Sequence, residues 1–185
     1  MNIMGFNGSP RTSGNTAWAI GEILEGAKEQ GAEVGIFHSG VLDIRPCGGC
    51  LGCVKSDRCV VKDGMQPLYD ALKSADTLVL GAPIYMGQMS AQAKIFTDRL
   101  FAQITPRFSP RFKEENAGKK LVLVFTQGNP DERKFQTYID YTAQMFGLLE
   151  FIVQDVVVVT GTRNEHASAQ NGLSGRLKSI GLHCV

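Results

Sequence analysis

Short apolar runs alternate with amphipathic stretches along the whole chain. Continuous runs bounded by polar or glycine-rich positions predict strands over residues 2–6, 33–38, 77–82, 120–126 and 152–160. Between and after them, apolar residues return at helical spacing. Ala17, Ile20, Ile23, Leu24 and Ala27 form one such set; Met89, Ala93, Phe96 and Leu100 form another. Phe135, Tyr138, Ile139, Thr142, Met145 and Phe146 form a third, and Leu173, Leu177 and Ile180 the last. Asp63 followed by residues 65–73 reads as a short helix. Strands alternating with helices predict an α/β fold: a three-layer α/β/α sandwich around a five-stranded parallel sheet of order 2-1-3-4-5. With no internal repeat and 185 residues, one domain is expected over 1–185.

Two segments are too long for simple turns, residues 39–63 and 104–118. The first carries a cysteine-rich insertion at about 40–62. The second, with two prolines and mixed charge, reads equally as an interface or lid loop and as a solvated excursion.

Composition adds exclusions. Hydrophobic residues make up 43% and charged residues 20%, ordinary values for a soluble globular protein. Nineteen Lys and Arg against 18 Asp and Glu give a net charge of +1, which offers no case for nucleic acid or an anionic membrane surface. The opening MNIMGFNGSP has neither a basic start nor a long apolar run, and no apolar stretch approaches the roughly 20 residues of a membrane span. A cytoplasmic, reducing location is the expectation. Clustered cysteines there bind metal or do chemistry more often than they form disulfides.

The first strand runs into GSPRTSGNT, residues 8–16. A loop of Gly, Ser and Thr between a strand and a helix N-terminus is an anion site, because unpaired N–H groups and the helix dipole converge there. The hydroxyls of Ser9, Ser13 and Thr16, the amide of Asn15 and the guanidinium of Arg11 can add to it. Neither G-x-x-x-x-G-K-[ST] nor G-x-G-x-x-G is present. A hydroxyl-rich loop with no lysine suits a monophosphate, that of FMN foremost. The plainer reading is a helix capped by Ser13 behind a flexible turn.

In open α/β sheets ligands sit beyond the carboxyl ends of the strands. Strand three ends in Pro83, Ile84, Tyr85, Met86 and Gly87, which offer a rigid turn, backbone amides and a flat aromatic for an isoalloxazine ring. Strand four ends in Thr126, Gly128 and Asn129, again small and polar.

Cys47, Cys50, Cys53 and Cys59 have the spacing C-x2-C-x2-C-x5-C. Three thiols in seven residues, with Gly48, Gly49 and Gly52 between them, let a chain wrap an iron–sulfur cube. Zinc, which favours separated cysteine pairs, oxidative disulfides and buried inert thiols are the alternatives. Cys184 stands apart as a free or packing thiol. His38, His166 and His183 form no ligand pattern, and Trp18 and the phenylalanines read as core.

GSPRTSGNT and the later GAPIYMGQMSAQAK resemble the FMN-binding pattern of the NADPH-dependent FMN reductase and flavodoxin-like superfamily. With the cysteines between them, the chain resembles the iron–sulfur flavoprotein family. The resemblance implies a flavodoxin-like fold, one FMN and one [4Fe–4S] cluster per subunit, and a homodimer or homotetramer. It implies that Ser9, Arg11, Ser13, Asn15 and Thr16 hold the phosphate. Pro83, Ile84, Tyr85, Met86 and Gly87, with Thr126, Gly128 and Asn129, would hold the ring, and Cys47, Cys50, Cys53 and Cys59 the cluster. The expected function is an FMN-dependent oxidoreductase. It would pass electrons from a ferredoxin-like donor or NAD(P)H to a quinone, O2 or H2O2, with the cofactors carrying the chemistry. The alternatives are an NAD(P)H-dependent FMN or quinone reductase without a cluster, and a non-enzymatic flavodoxin-like electron carrier.

Overall fold

Strands that are apolar at every position need cover on both faces. The computed structural model, which describes residues 1–56, 58–105, 111–112 and 117–185, supplies it. In chain order the described residues form β1 (Asn2–Asn7), α1 (Asn15–Glu29), β2 (Glu33–His38), α2 (Gly52–Ser56), α3 (Gln66–Ser74), β3 (Thr77–Tyr85), β4 (Gln88–Met89), α4 (Ala91–Arg99), β5 (Ile104–Thr105) and β6 (Arg111–Phe112). The rest form β7 (Lys120–Thr126), α5 (Gln136–Leu148), β8 (Ile152–Val159) and α6 (Leu173–His183).

Five parallel strands run β2-β1-β3-β7-β8, the doubly wound order expected. Their side chains alternate between two cores. Ile3, Val79, Val122, Val124 and Val157 meet Ile20, Ile23, Leu177 and Ile180 of α1 and α6. Met4, Phe6, Leu78, Leu80, Leu123 and Phe125 meet Leu68, Leu72, Phe96 and Phe146 of α3, α4 and α5. Helices α1 and α6 approach closely because both carry glycine at the crossing. A Cβ on Gly181 would lie 2.0 Å from the Ile23 carbonyl oxygen.

The structure corrects several expectations. Strand β3 continues to Tyr85, turns at Met86 and Gly87, and returns as β4, a sixth and antiparallel strand. Both turn residues have positive φ, 50° and 83°, the signature of a type I′ turn whose twist matches the flanking strands. Met89, expected on a helix, therefore lies in a strand. Helix α4 starts after Ser90, whose Oγ accepts from the Ala93 N–H at 3.3 Å.

The cysteine stretch contains the short α2, and the 104–118 segment begins with the antiparallel pair β5–β6. Residues 106–110 and 113–116 of that segment lie outside the described residues. Trp18 is half-buried rather than core, with its ring edge toward His166 at 6.4 Å. Phe101 is 41% exposed. No helix among the described residues is long and apolar enough to cross a membrane.

Candidate functional site

The carboxyl ends of β1, β3 and β7 converge on a cavity of about 350 Å3. The loop after β1 forms one wall. Asn7, fully buried, shapes it: its Nδ2 donates to the Arg11 carbonyl at 2.9 Å and its Oδ1 accepts from the Ser9 N–H at 3.1 Å. Ser9 Oγ in turn accepts from the Arg11 N–H at 3.1 Å. The loop is thereby preset, with Gly14 as the residue before α1 and no side chain capping that helix. The first intrahelical bond reaches back from Trp18 to Gly14, so the N–H groups of Asn15, Thr16 and Ala17 have no helical partner.

Ser9, Arg11, Asn15, Thr16, Pro83, Ile84, Tyr85, Thr126 and Gly128 all line this cavity. Ser13 lines neither this cavity nor its neighbour and is exposed on the outside of the loop. Asn15 has other partners: its Oδ1 accepts from the Ala167 N–H at 2.7 Å. Thr162 and Arg163, which sequence reasoning missed, complete the wall from the loop after β8. Nothing local in the sequence marks them; only the order of the strands brings that loop here.

An adjoining cavity of about 480 Å3 shares Ile84, Gly128 and Arg163 and adds Met86, Gly87 and Asn129. Gln127 also lines it, with its side chain 1% exposed. Gln127 Nε2 donates to the carbonyls of Asn129 at 3.2 Å and Asp131 at 2.7 Å, but Oε1 is buried with no partner among the described residues. A buried, unpaired acceptor beside a cavity calls for a donor from a ligand.

The cysteines form a separate site. Cys47, Cys50, Cys53 and Cys59 are all unbridged and line one small cavity of about 40 Å3, closed by Val60, Val61, Phe101 and Ala102. Gly49 and Leu51 adopt left-handed backbone at φ 63° and 55°, which winds the chain tightly between thiols. Burial, and then the charges of Cys59, Cys47 and Cys50, push the Cys53 thiol up. Among the described residues no three potential ligands sit where a single metal ion could be held. Four unbridged thiols around one cavity are the donor set that a [4Fe–4S] cluster takes, one thiolate per iron.

Both ends of the cysteine stretch are tied to one buried ion pair that the sequence did not announce. Arg99, at the end of α4, donates through Nη1 and Nη2 to Asp63 at 2.7 and 3.1 Å, and Nη1 also reaches the Arg45 carbonyl at 2.7 Å. Asp63 further accepts from the N–H groups of Arg45 at 2.9 Å and Met65 at 3.0 Å. Burial opposes the Asp63 charge, but these hydrogen bonds outweigh it and hold the carboxyl at about 2. Burial likewise opposes the Arg99 charge, and Asp63 overrides it. Tyr69, its hydroxyl pushed up by burial, donates to the Arg99 carbonyl at 2.9 Å.

Helix α4 separates the two sites. Its first turn packs beneath the loop after β1, where a Cβ on Gly8 would lie 2.5 Å from that of Ala93. Its last turn, Asp98 and Arg99, walls the thiol cavity. Nine residues of helix span about 13 Å.

Residues 1–165 match the NADPH-dependent FMN reductase family. An iron–sulfur flavoprotein of Methanosarcina thermophila is 39% identical over 141 residues, covering 76% of this chain and 72% of that one. One from Methanocaldococcus jannaschii is 30% identical over 162 residues, covering 87% and 76%. Several further relatives of the same name are matched over only about half their length. The solved structure of an NAD(P)H:quinone oxidoreductase from Methanothermobacter marburgensis superposes with a TM-score of 0.74 at 14% identity, covering 99% of this chain and 96% of that one. That likeness is one of fold.

Proposed function

This chain belongs to the NADPH-dependent FMN reductase family and is a flavin-dependent oxidoreductase, and on that premise we propose that it acts as an iron–sulfur flavoprotein reducing a small acceptor such as a quinone, O2 or H2O2. The observation that carries the reading is the pairing of two sites in one chain. A loop preset by its own hydrogen bonds opens on a partly apolar cavity, and four free thiols line a second cavity at the far end of α4.

Ser9, Arg11 and Thr16, with the free N–H groups of the first turn of α1, would hold the FMN phosphate; Ser13 and Asn15 contribute less than the loop pattern implies. Pro83, Ile84, Tyr85, Met86, Gly87, Thr126, Gly128 and Asn129 would hold the ring. The unpaired Oε1 of Gln127 suits the ring's imide N–H. Cys47, Cys50, Cys53 and Cys59 would hold a [4Fe–4S] cluster. FMN supplies two-electron storage with one-electron exchange, and the cluster supplies one-electron exchange. No side chain need act as acid or base; the chain binds, orients and excludes water.

The donor is a ferredoxin-like protein or NAD(P)H. With the two sites at opposite ends of α4, a homodimer or homotetramer would bring one subunit's cysteines to another's flavin. Absorption and EPR spectra of protein purified without oxygen test the reading. A flavin spectrum with no iron–sulfur signal after reduction removes the cluster and leaves the simpler reductase. Rapid flavin bleaching by NAD(P)H in that protein would then identify it.

A further inference from the structure

A guanidinium is costly to bury unless each of its N–H groups finds an acceptor. In Arg99 the far edge is well served: Nη1 and Nη2 grip Asp63 and the Arg45 carbonyl. The near edge is not. Nε–H is buried and has no hydrogen-bond partner among the described residues. The side chain, 1% exposed, forms part of the wall of the thiol cavity together with the four cysteines. The other charged wall residue, Asp98, is half-exposed and paired with Lys94. Arg99 is thus the buried cation of the cavity and shares its wall with Cys59.

We infer that Arg99 positions and tunes the group held by the four cysteines, its Asp63-anchored guanidinium offering the unpartnered Nε–H to an anionic sulfur of that group. The inference rests on the reading that the thiols hold a cluster. Reduction of the cluster adds one electron and one negative charge, with no bond made or broken. A fixed cation with an N–H donor stabilises that reduced form more than the oxidised one and raises its potential. The anchor matters as much as the charge. Arg45 and Asp63 bracket the cysteine stretch, so the same side chain that closes the loop sets the donor against the sulfur. Lysine offers a point charge without the planar fork and cannot do both.

The test compares wild type, Arg99→Gln and Arg99→Lys as anaerobic holoproteins, by iron, sulfide and FMN content and by EPR-monitored redox titration of the cluster. The expected result is a cluster midpoint moved to more negative values in Arg99→Gln, with Arg99→Lys in between. Loss of the cluster from both variants with FMN retained marks Arg99 as a loop-closing residue only and overturns the inference. Where only Arg99→Gln loses it, the Arg99→Lys midpoint decides in the same way. Unchanged midpoints with full iron would overturn the inference, and so would loss of FMN together with iron from both variants, which marks Arg99 as a general packing residue. Wild type without iron overturns the cluster reading first, and is distinguishable from either outcome.

Discussion

Thr16 and Thr126 share a 2.7 Å hydrogen bond between their hydroxyls although 110 residues separate them. The bond ties the start of α1 to the end of β7, two walls of the cavity proposed to hold FMN. Both side chains are buried. Thr126→Val keeps the shape and leaves Thr16 without this partner, at a cost of about 1 kcal/mol in denaturant unfolding. A loss of that size in the bound form corresponds to roughly fivefold weaker FMN binding, measured by quenching of flavin fluorescence. An unchanged FMN affinity contradicts the placement of the cofactor here.

The Asp63–Arg99 pair makes stability depend on acid. The Asp63 carboxyl sits at about 2 against an ordinary 3.8. A lowered folded-state value means its stabilisation is complete above about pH 4 and disappears as pH falls through about 2, a change of about 2 kcal/mol. Asp63→Asn leaves Arg99 buried without its counter-charge and costs about 3 kcal/mol at neutral pH. Urea unfolding of both proteins across this range checks it. The gap between them should narrow on the acid side, and a gap independent of pH contradicts the assignment.

Met86 is fully exposed, stands at φ 50° and occupies the first position of a type I′ turn that favours asparagine or glycine. Met86→Asn should therefore raise the stability of the cofactor-free protein by about 0.5–1 kcal/mol while weakening FMN binding. A thermal melt and an FMN titration separate the two effects. Tighter binding together with greater stability would show that the methionine serves neither ring nor fold.

Cys184 behaves as a packing residue. It is fully buried, its Sγ donates to the Ile180 carbonyl at 3.3 Å, and burial followed by the charge of Asp155 pushes its thiol up to about 11. Thiolate is therefore scarce there near neutral pH. Alkylation of metal-free protein, read by peptide mass spectrometry, should label the exposed Cys47 and Cys50 and spare Cys184 until the chain unfolds. Cys184→Ala should leave iron content unchanged.

The strand order was legible because the runs at Lys120–Thr126 and Glu33–His38 are bounded by polar residues and glycines, and both strands keep those limits. The β3–β4 turn was not, since methionine carries no turn signal and its left-handed backbone is imposed by the pairing of Ile84 with Met89. Short motifs drew attention to the cysteines and to the loop after β1. The structure gathers the four thiols around one cavity and Ser9, Arg11, Asn15 and Thr16 around another, while Ser13 is exposed. Arg99, Asp63, Gln127, Thr162 and Arg163 were missed for a common reason: each acts through partners distant in sequence or through burial, and neither leaves a local pattern.

Iron, acid-labile sulfide and FMN measured in the same anaerobic preparation test the central claim most directly. The four thiols around one cavity and the anion loop at the other end of α4 predict about four iron and four sulfide for each FMN. FMN in full amount with neither iron nor sulfide would contradict it.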